Sequence, residues 1–80
     1  MPGREHGSAH ARLHSLLRNI RVEAGLRQTD LARHLGKPQS FVSKYESGER
    51  RLDVLELRRI CQVVGISLQD FVQRLEKRES

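Results

Sequence analysis

The sequence predicts an all-α fold of five short helices. Three observations carry that expectation: apolar residues recur at steps of three and four along most of the chain, no stretch alternates with the period of a strand, and glycine follows the last apolar residue of four successive segments. Eighty residues make one domain, and a chain this small buries only about 60% of its unfolded surface. With 36% hydrophobic and 4% aromatic content, its core must come from Leu, Ile and Val.

Residues 1–8 hold Pro and two Gly without apolar periodicity and are expected to be a flexible tail. From Ala9 the period begins, with Leu13, Leu16, Leu17, Ile20 and Ala24 on one stripe, Ser8 as N-cap and Gly25 as the left-handed stop. A second helix is expected from about Gln28 to Leu35, buried through Leu31, Ala32 and Leu35, with Gly36 after it and Arg27 as a poor capping residue. Pro38 suits the first turn of a third helix, about Gln39 to Glu46, which turns Val42 and Tyr45 inward and ends at Gly48.

The last two helices are well punctuated. Asp53 and Glu56 make a capping box with Leu52 and Leu57 as its hydrophobic staple; Val54, Leu57, Ile60, Cys61 and Val64 form the expected buried stripe, closed by Gly65. Ser67 and Asp70 repeat the device with Ile66 and Phe71, and the fifth helix carries Phe71, Val72 and Leu75. Residues 9–76 are the expected domain and 77–80 a charged tail.

Charge narrows the function. The net charge is +5, with an excess of two positive charges in residues 1–26, three in 27–51 and none in 52–80. A basic surface fits a polyanion, nucleic acid or an acidic membrane, although a merely solvated surface has the same composition. No apolar run is long enough to span a bilayer, no export signal is visible, and a single cysteine, Cys61, allows no internal disulfide; the expected compartment is the cytoplasm. No phosphate-binding glycine loop, metalloprotease motif or nucleophile elbow is present, so catalysis is not expected. His6, His10 and His14 recur every four residues, but Gly7 and Ser8 are expected to break that helix; the remaining pair lacks an obvious third ligand, and no metal or other cofactor is expected.

The second and third helices are each about eight residues, too short to be stable alone, so they must be held by packing. That leaves Gln39, Ser40, Ser43 and Lys44 on the outer face of the third helix: an amide, two hydroxyls and one cation, with no carboxylate. A helix fits the ~12 Å major groove of B-DNA, and a glutamine near its N-terminus can bond adenine N6 and N7 together.

The run QTDLARHLGKPQSFVSKYESGERR resembles the helix-turn-helix of the Cro and phage-repressor family, the xenobiotic-response-element type regulators. The shared signature is Gln28, Leu31-Ala32, Leu35-Gly36, Gln39-Ser40, Val42-Ser43-Lys44, Glu46 and Gly48, and the resemblance extends over about residues 11–76. It implies a compact lambda-repressor-like DNA-binding domain. It also implies that Gln39, Ser40, Ser43 and Lys44 face bases, and that Gln28 binds phosphate and locks the Gln39 side chain. Ser47, Glu49, Arg50 and Arg51 match the phosphate-touching loop; Glu49 departs from the commoner basic residue, which favours Arg50 and Arg51 as the ligands. Arg21 and Glu46 match a buried ion pair. Phe41 is either a contact to a thymine methyl or part of the scaffold, and Tyr45 is expected in the core.

One recognition helix reads too few base pairs to single out a genomic site, so a homodimer on a palindromic operator is expected. Leu68, Phe71, Val72 and Leu75, in the electrically balanced third of the chain, are the expected dimer surface. The chain is read as a transcriptional regulator, most commonly a repressor in this family, with double-stranded DNA as partner and no small-molecule ligand. The rival reading is an antitoxin or adaptor module whose main partner is another protein, such as a toxin.

Overall fold

The computed structural model describes the backbone of residues 3–77 and the side chains of residues 9–77. Five helices follow in order: α1 (Gly3–Glu23), α2 (Gln28–Leu35), α3 (Gln39–Ser47), α4 (Val54–Val64) and α5 (Leu68–Glu76), with no strand among the described residues. α2 packs on α3 and on α4, α1 packs on α3 and α5, and α4 packs on α5. The buried centre comprises Leu16, Leu17 and Ile20 of α1, Leu31 and Ala32 of α2, Val42 and Tyr45 of α3, Ile60 and Cys61 of α4, and Phe71 of α5. Neither α2 nor α3 would persist as an isolated segment, so this shared core is what fixes their relative orientation.

Three features of the helices differ from the sequence-based expectation. α1 starts at Gly3, not Ala9, so Gly7 and Ser8 lie inside the helix and Ser8 does not cap it. Once the packed segment has formed, each added residue contributes a further backbone hydrogen bond, and one interior glycine costs only about 1 kcal/mol. Residues 1, 2 and 78–80 of the expected tails, and the side chain of His6, lie outside the described residues. Ala24 is exposed, because the helix has ended by Glu23 and its stripe stops with it. Val54 is also exposed, at 61%, with Leu55 at 62%: the first turn of α4 stands clear of the core, and only Ile60 and Cys61 of the expected stripe are fully buried.

The helix ends explain the tight connections. Gly25 has φ 77°, and the Leu26 N–H reaches back to the Arg21 carbonyl at 3.2 Å, the long bond of a Schellman turn. The Asp53 carboxylate accepts the Glu56 N–H at 2.8 Å while Glu56 accepts the Asp53 N–H at 3.0 Å. The Ser67 hydroxyl accepts the Asp70 N–H at 3.0 Å. At α2 the weak cap is compensated from the third position: Asp30 accepts the Arg27 N–H at 2.9 Å and takes the Arg27 guanidinium at 3.1 and 3.2 Å. That guanidinium and the backbone N–H together hold the Asp30 carboxyl well below the usual carboxylate range.

Candidate nucleic-acid interface

The α2–α3 turn is short because Gly36, at φ 70°, lets the Lys37 N–H close on the Ala32 carbonyl at 3.0 Å, after which Pro38 starts α3. Val42 and Tyr45 are buried on the inner side of α3, at 0% and 1% exposure. At about 100° per residue, Gln39, Ser43, Ser40 and Lys44 then fan over an arc of roughly 140° on the opposite side. Gln39, Ser40 and Lys44 are exposed and Ser43 is half-buried. No side chain caps α3 at its N-terminus, which leaves first-turn N–H groups for water or an oxyanion.

Gln39 is not a free side chain. Its Nε2 donates to Gln28 Oε1 at 2.7 Å, and Gln28 Nε2 donates in turn to Glu46 Oε1 at 3.0 Å. Glu46 is gripped on both oxygens by Arg21, through Nε at 2.7 Å and Nη2 at 3.1 Å, while Arg21 Nη1 donates to the Leu26 carbonyl at 2.9 Å. The pair is nearly enclosed, with side chains 10% and 5% exposed, so it ties α1 to α3 in a low-dielectric setting.

The order of donors and acceptors in this chain fixes the polarity of Gln39. A guanidinium only donates and a carboxylate only accepts, so Gln28 must turn its NH₂ toward Glu46 and its carbonyl oxygen toward Gln39. Gln39 must then present an N–H to Gln28. Its second N–H and its Oε1 have no partner among the described residues. That is the donor–acceptor pair an adenine's N7 and N6 require.

The loop after α3 divides its two arginines. Arg50 makes a two-pronged pair with Glu56, Nη1 to Oε1 at 3.1 Å and Nη2 to Oε2 at 3.0 Å; Nη1 also donates to the Arg51 carbonyl at 2.9 Å. Its guanidinium lies 4.7 Å from the centre of the Phe41 ring. Arg50 therefore links the loop to the start of α4 through a surface ion pair, its side chain still 40% exposed. Phe41 belongs to the same assembly: Lys37 Nζ stands 5.4 Å over its ring and Tyr45 meets it edge-on at 5.5 Å. The ring is half-buried within this assembly. Arg51 is exposed and forms no ion pair among the described residues. Ser47 is exposed, its hydroxyl donating to the Lys44 carbonyl at 3.1 Å.

The D-x-x-E pattern pointed to Glu56 as a capping residue and missed its second task. A carboxylate has lone pairs to spare after capping, but which cation takes them depends on the path of the loop, six residues from Arg50 to Glu56. Arg50 in turn depresses the Glu56 carboxyl, as the capped Asp53 N–H also does.

At the other end of the molecule, Phe71 is 0% exposed, packed in the core, and cannot belong to a dimer surface. Val72 beside it is 44% exposed, and Leu68 and Leu75 are half-buried. Arg74 and Glu23 bridge α5 to α1 at 3.0 and 2.9 Å. Among the described residues no helix is long and apolar enough to cross a membrane, and no three potential metal ligands cluster.

Comparison with known proteins agrees with this fold. The helix-turn-helix family profile of the Cro/C1 type matches residues 17–71. An XRE-family like protein from Pseudomonas syringae pv. tomato str. DC3000 superimposes with a TM-score of 0.82 and 42% identity, over 92% of this chain and 90% of that one. The restriction-modification controller protein C.Esp1396I, solved as a tetramer in complex with its natural 35 base-pair operator, gives a TM-score of 0.75 and 25% identity over 84% and 88% of the two chains. The clp gene regulator ClgR from C. glutamicum shares the fold, with a TM-score of 0.75 at 22% identity over 84% and 86%. No curated protein matches the chain. The chain belongs to the Cro/C1-type (XRE) helix-turn-helix family of DNA-binding transcription regulators.

Proposed function

We propose that this protein is a sequence-specific regulator that binds a palindromic operator in double-stranded DNA as a homodimer and represses by occupying a promoter. One observation carries the base-reading part: the hydrogen-bonded series Arg21–Glu46–Gln28–Gln39, which leaves Gln39 with one N–H and one carbonyl unpartnered among the described residues. Gln39, Ser40, Ser43 and Lys44 read bases in the major groove. Arg51, Ser47 and the start of α2 at Gln28 hold the flanking phosphates, where they set register without carrying sequence information. Gln28 also acts through Gln39.

The dimer face is assigned to α5, through Val72 with Leu68 and Leu75. What supports it is apolar surface left uncovered at Val72, in a third of the chain with no net charge, so that two copies meet without mutual repulsion. The two-fold assembly is also what a short recognition helix needs, since paired half-sites about 34 Å apart double the sequence that is read. The operator complex of C.Esp1396I offers a precedent at the level of that protein. No specific observation favours a toxin or adaptor partner.

Selection of bound duplexes from random DNA tests this reading. The expected result is an enriched inverted repeat whose half-sites contain adenine at one invariant position and are spaced by one helical turn. Recovery of unenriched DNA, or of a single unrepeated half-site, would refute the specific homodimer.

A further inference from the structure

α1 and the α3–α4 loop flank a cleft of about 220 Å³ beside the recognition helix, and its α1 wall is used by none of the contacts above. His10 and His14 stand on its α1 wall, Arg50 and Arg51 on the loop wall, and Tyr45 with three leucines completes the lining. Among the described residues no carboxylate lines it. The two imidazoles are one helical turn apart, with ring centroids 6.2 Å from each other. His14 is pressed against the loop: a Cβ at Gly48 would come within 2.7 Å of its Cε1. Gly48 also sits at φ 89°, so the turn that ends α3 is shaped to let this ring approach.

The chemistry of the lining selects a ligand. Arg50 is already engaged by Glu56, which leaves the Arg51 guanidinium and the imidazole N–H groups without a hydrogen-bond partner among the described residues. A cation would meet two arginines and find only two nitrogen ligands, fewer than a zinc site uses. An oxyanion meets donors from both walls.

We propose that His10, His14 and Arg51 form an oxyanion site that takes a phosphate of the DNA backbone beside the groove contact. The phosphate interface thereby extends from the helix-turn-helix onto α1. This rests on the DNA-binding reading above, because the same donors would also accept a free phosphate or phosphorylated small molecule.

The test uses the full chain in two arms. In the first, the selected operator is titrated at several salt concentrations with the wild type, His10→Ala/His14→Ala and His10→Lys/His14→Lys. The alanine pair is expected to bind several-fold more weakly and to flatten the log–log salt dependence by about one unit. Base preference should be unchanged, and the lysine pair should restore the slope. In the second, inorganic phosphate is added to the unaltered free protein at constant ionic strength and pH while the imidazole NMR resonances are followed; saturable shifts are expected, absent with chloride. Shifts with an unaltered DNA slope in a folded alanine variant would overturn the backbone phosphate as the source, leaving a free oxyanion. Neither shifts nor a change of slope would overturn the site. If the wild type bound no duplex at all, the function proposed above would fail, while the phosphate titration would still decide the cleft.

Discussion

Gln39 and Arg51 bracket the proposed DNA surface, one opening α3 and the other in the loop beyond it, and they are held in opposite ways. Gln39 is the last link of a series of directional hydrogen bonds that begins at a nearly enclosed arginine. Arg51 is exposed, with no ion pair among the described residues. The difference matches the role proposed for each. Discriminating a base depends on presenting donor and acceptor in a set order, so an amide that rotates freely would accept either arrangement. Neutralising a phosphate requires only charge, and a mobile guanidinium follows the backbone wherever it runs. Order is spent where information is read, and freedom is kept where charge is enough.

Breaking the ordered end should have the largest effect. Glu46→Ala strands Arg21 in a nearly buried site and unhooks Gln28, and is expected to cost about 3–5 kcal/mol in denaturant unfolding. Binding that survives should show weaker preference at the base read by Gln39, because the amide has lost its fixed polarity. A loss of stability with base preference intact would separate the ion pair from recognition. Arg51→Ala probes the free end and should leave the melting temperature in place. It should weaken all duplex sequences alike and reduce the salt slope by about one unit. The smallest effect concerns Glu56. Its carboxyl is depressed in the folded protein by Arg50 and by the capped Asp53 N–H, so it contributes stability above the ordinary carboxylate range, and that contribution is lost as pH falls through the folded value. Glu56→Gln should therefore lower stability modestly at pH 7 and make the decline on acidification shallower, as followed by thermal melts between pH 7 and pH 3.

Much of this was legible in the residues because it is written in local patterns. The caps at Asp53 and Ser67, the glycine stops and the inward pair Val42 and Tyr45 depend on spacings of three and four, which one sequence displays. The outward set on α3 followed from the same count. What escaped was decided by groups far apart in the chain. Arg50 reads as a basic loop residue, and only the folded loop reveals that Glu56 and the Phe41 face have claimed it. Phe71 and Val72 are neighbours with equal claims to a partner surface; the axial rotation of α5 buries one and exposes the other. Val54 satisfies the helical period, yet the first turn of α4 projects beyond the helices that would cover it. The start of α1 was missed because glycine and serine near a terminus look like a boundary, whereas an established helix continues through them at little cost.

The central claim is that Gln39 reads adenine with an amide whose polarity is set from behind, and removing a single acceptor atom from the DNA tests it most directly. An operator carrying 7-deazaadenine at the selected position lacks the N7 that the Gln39 N–H would approach. The wild type should lose about 1–3 kcal/mol of binding on this duplex, while Gln39→Ala, already weakened, should not distinguish it from the unmodified one. Equal losses in both proteins, or none in either, would contradict the account.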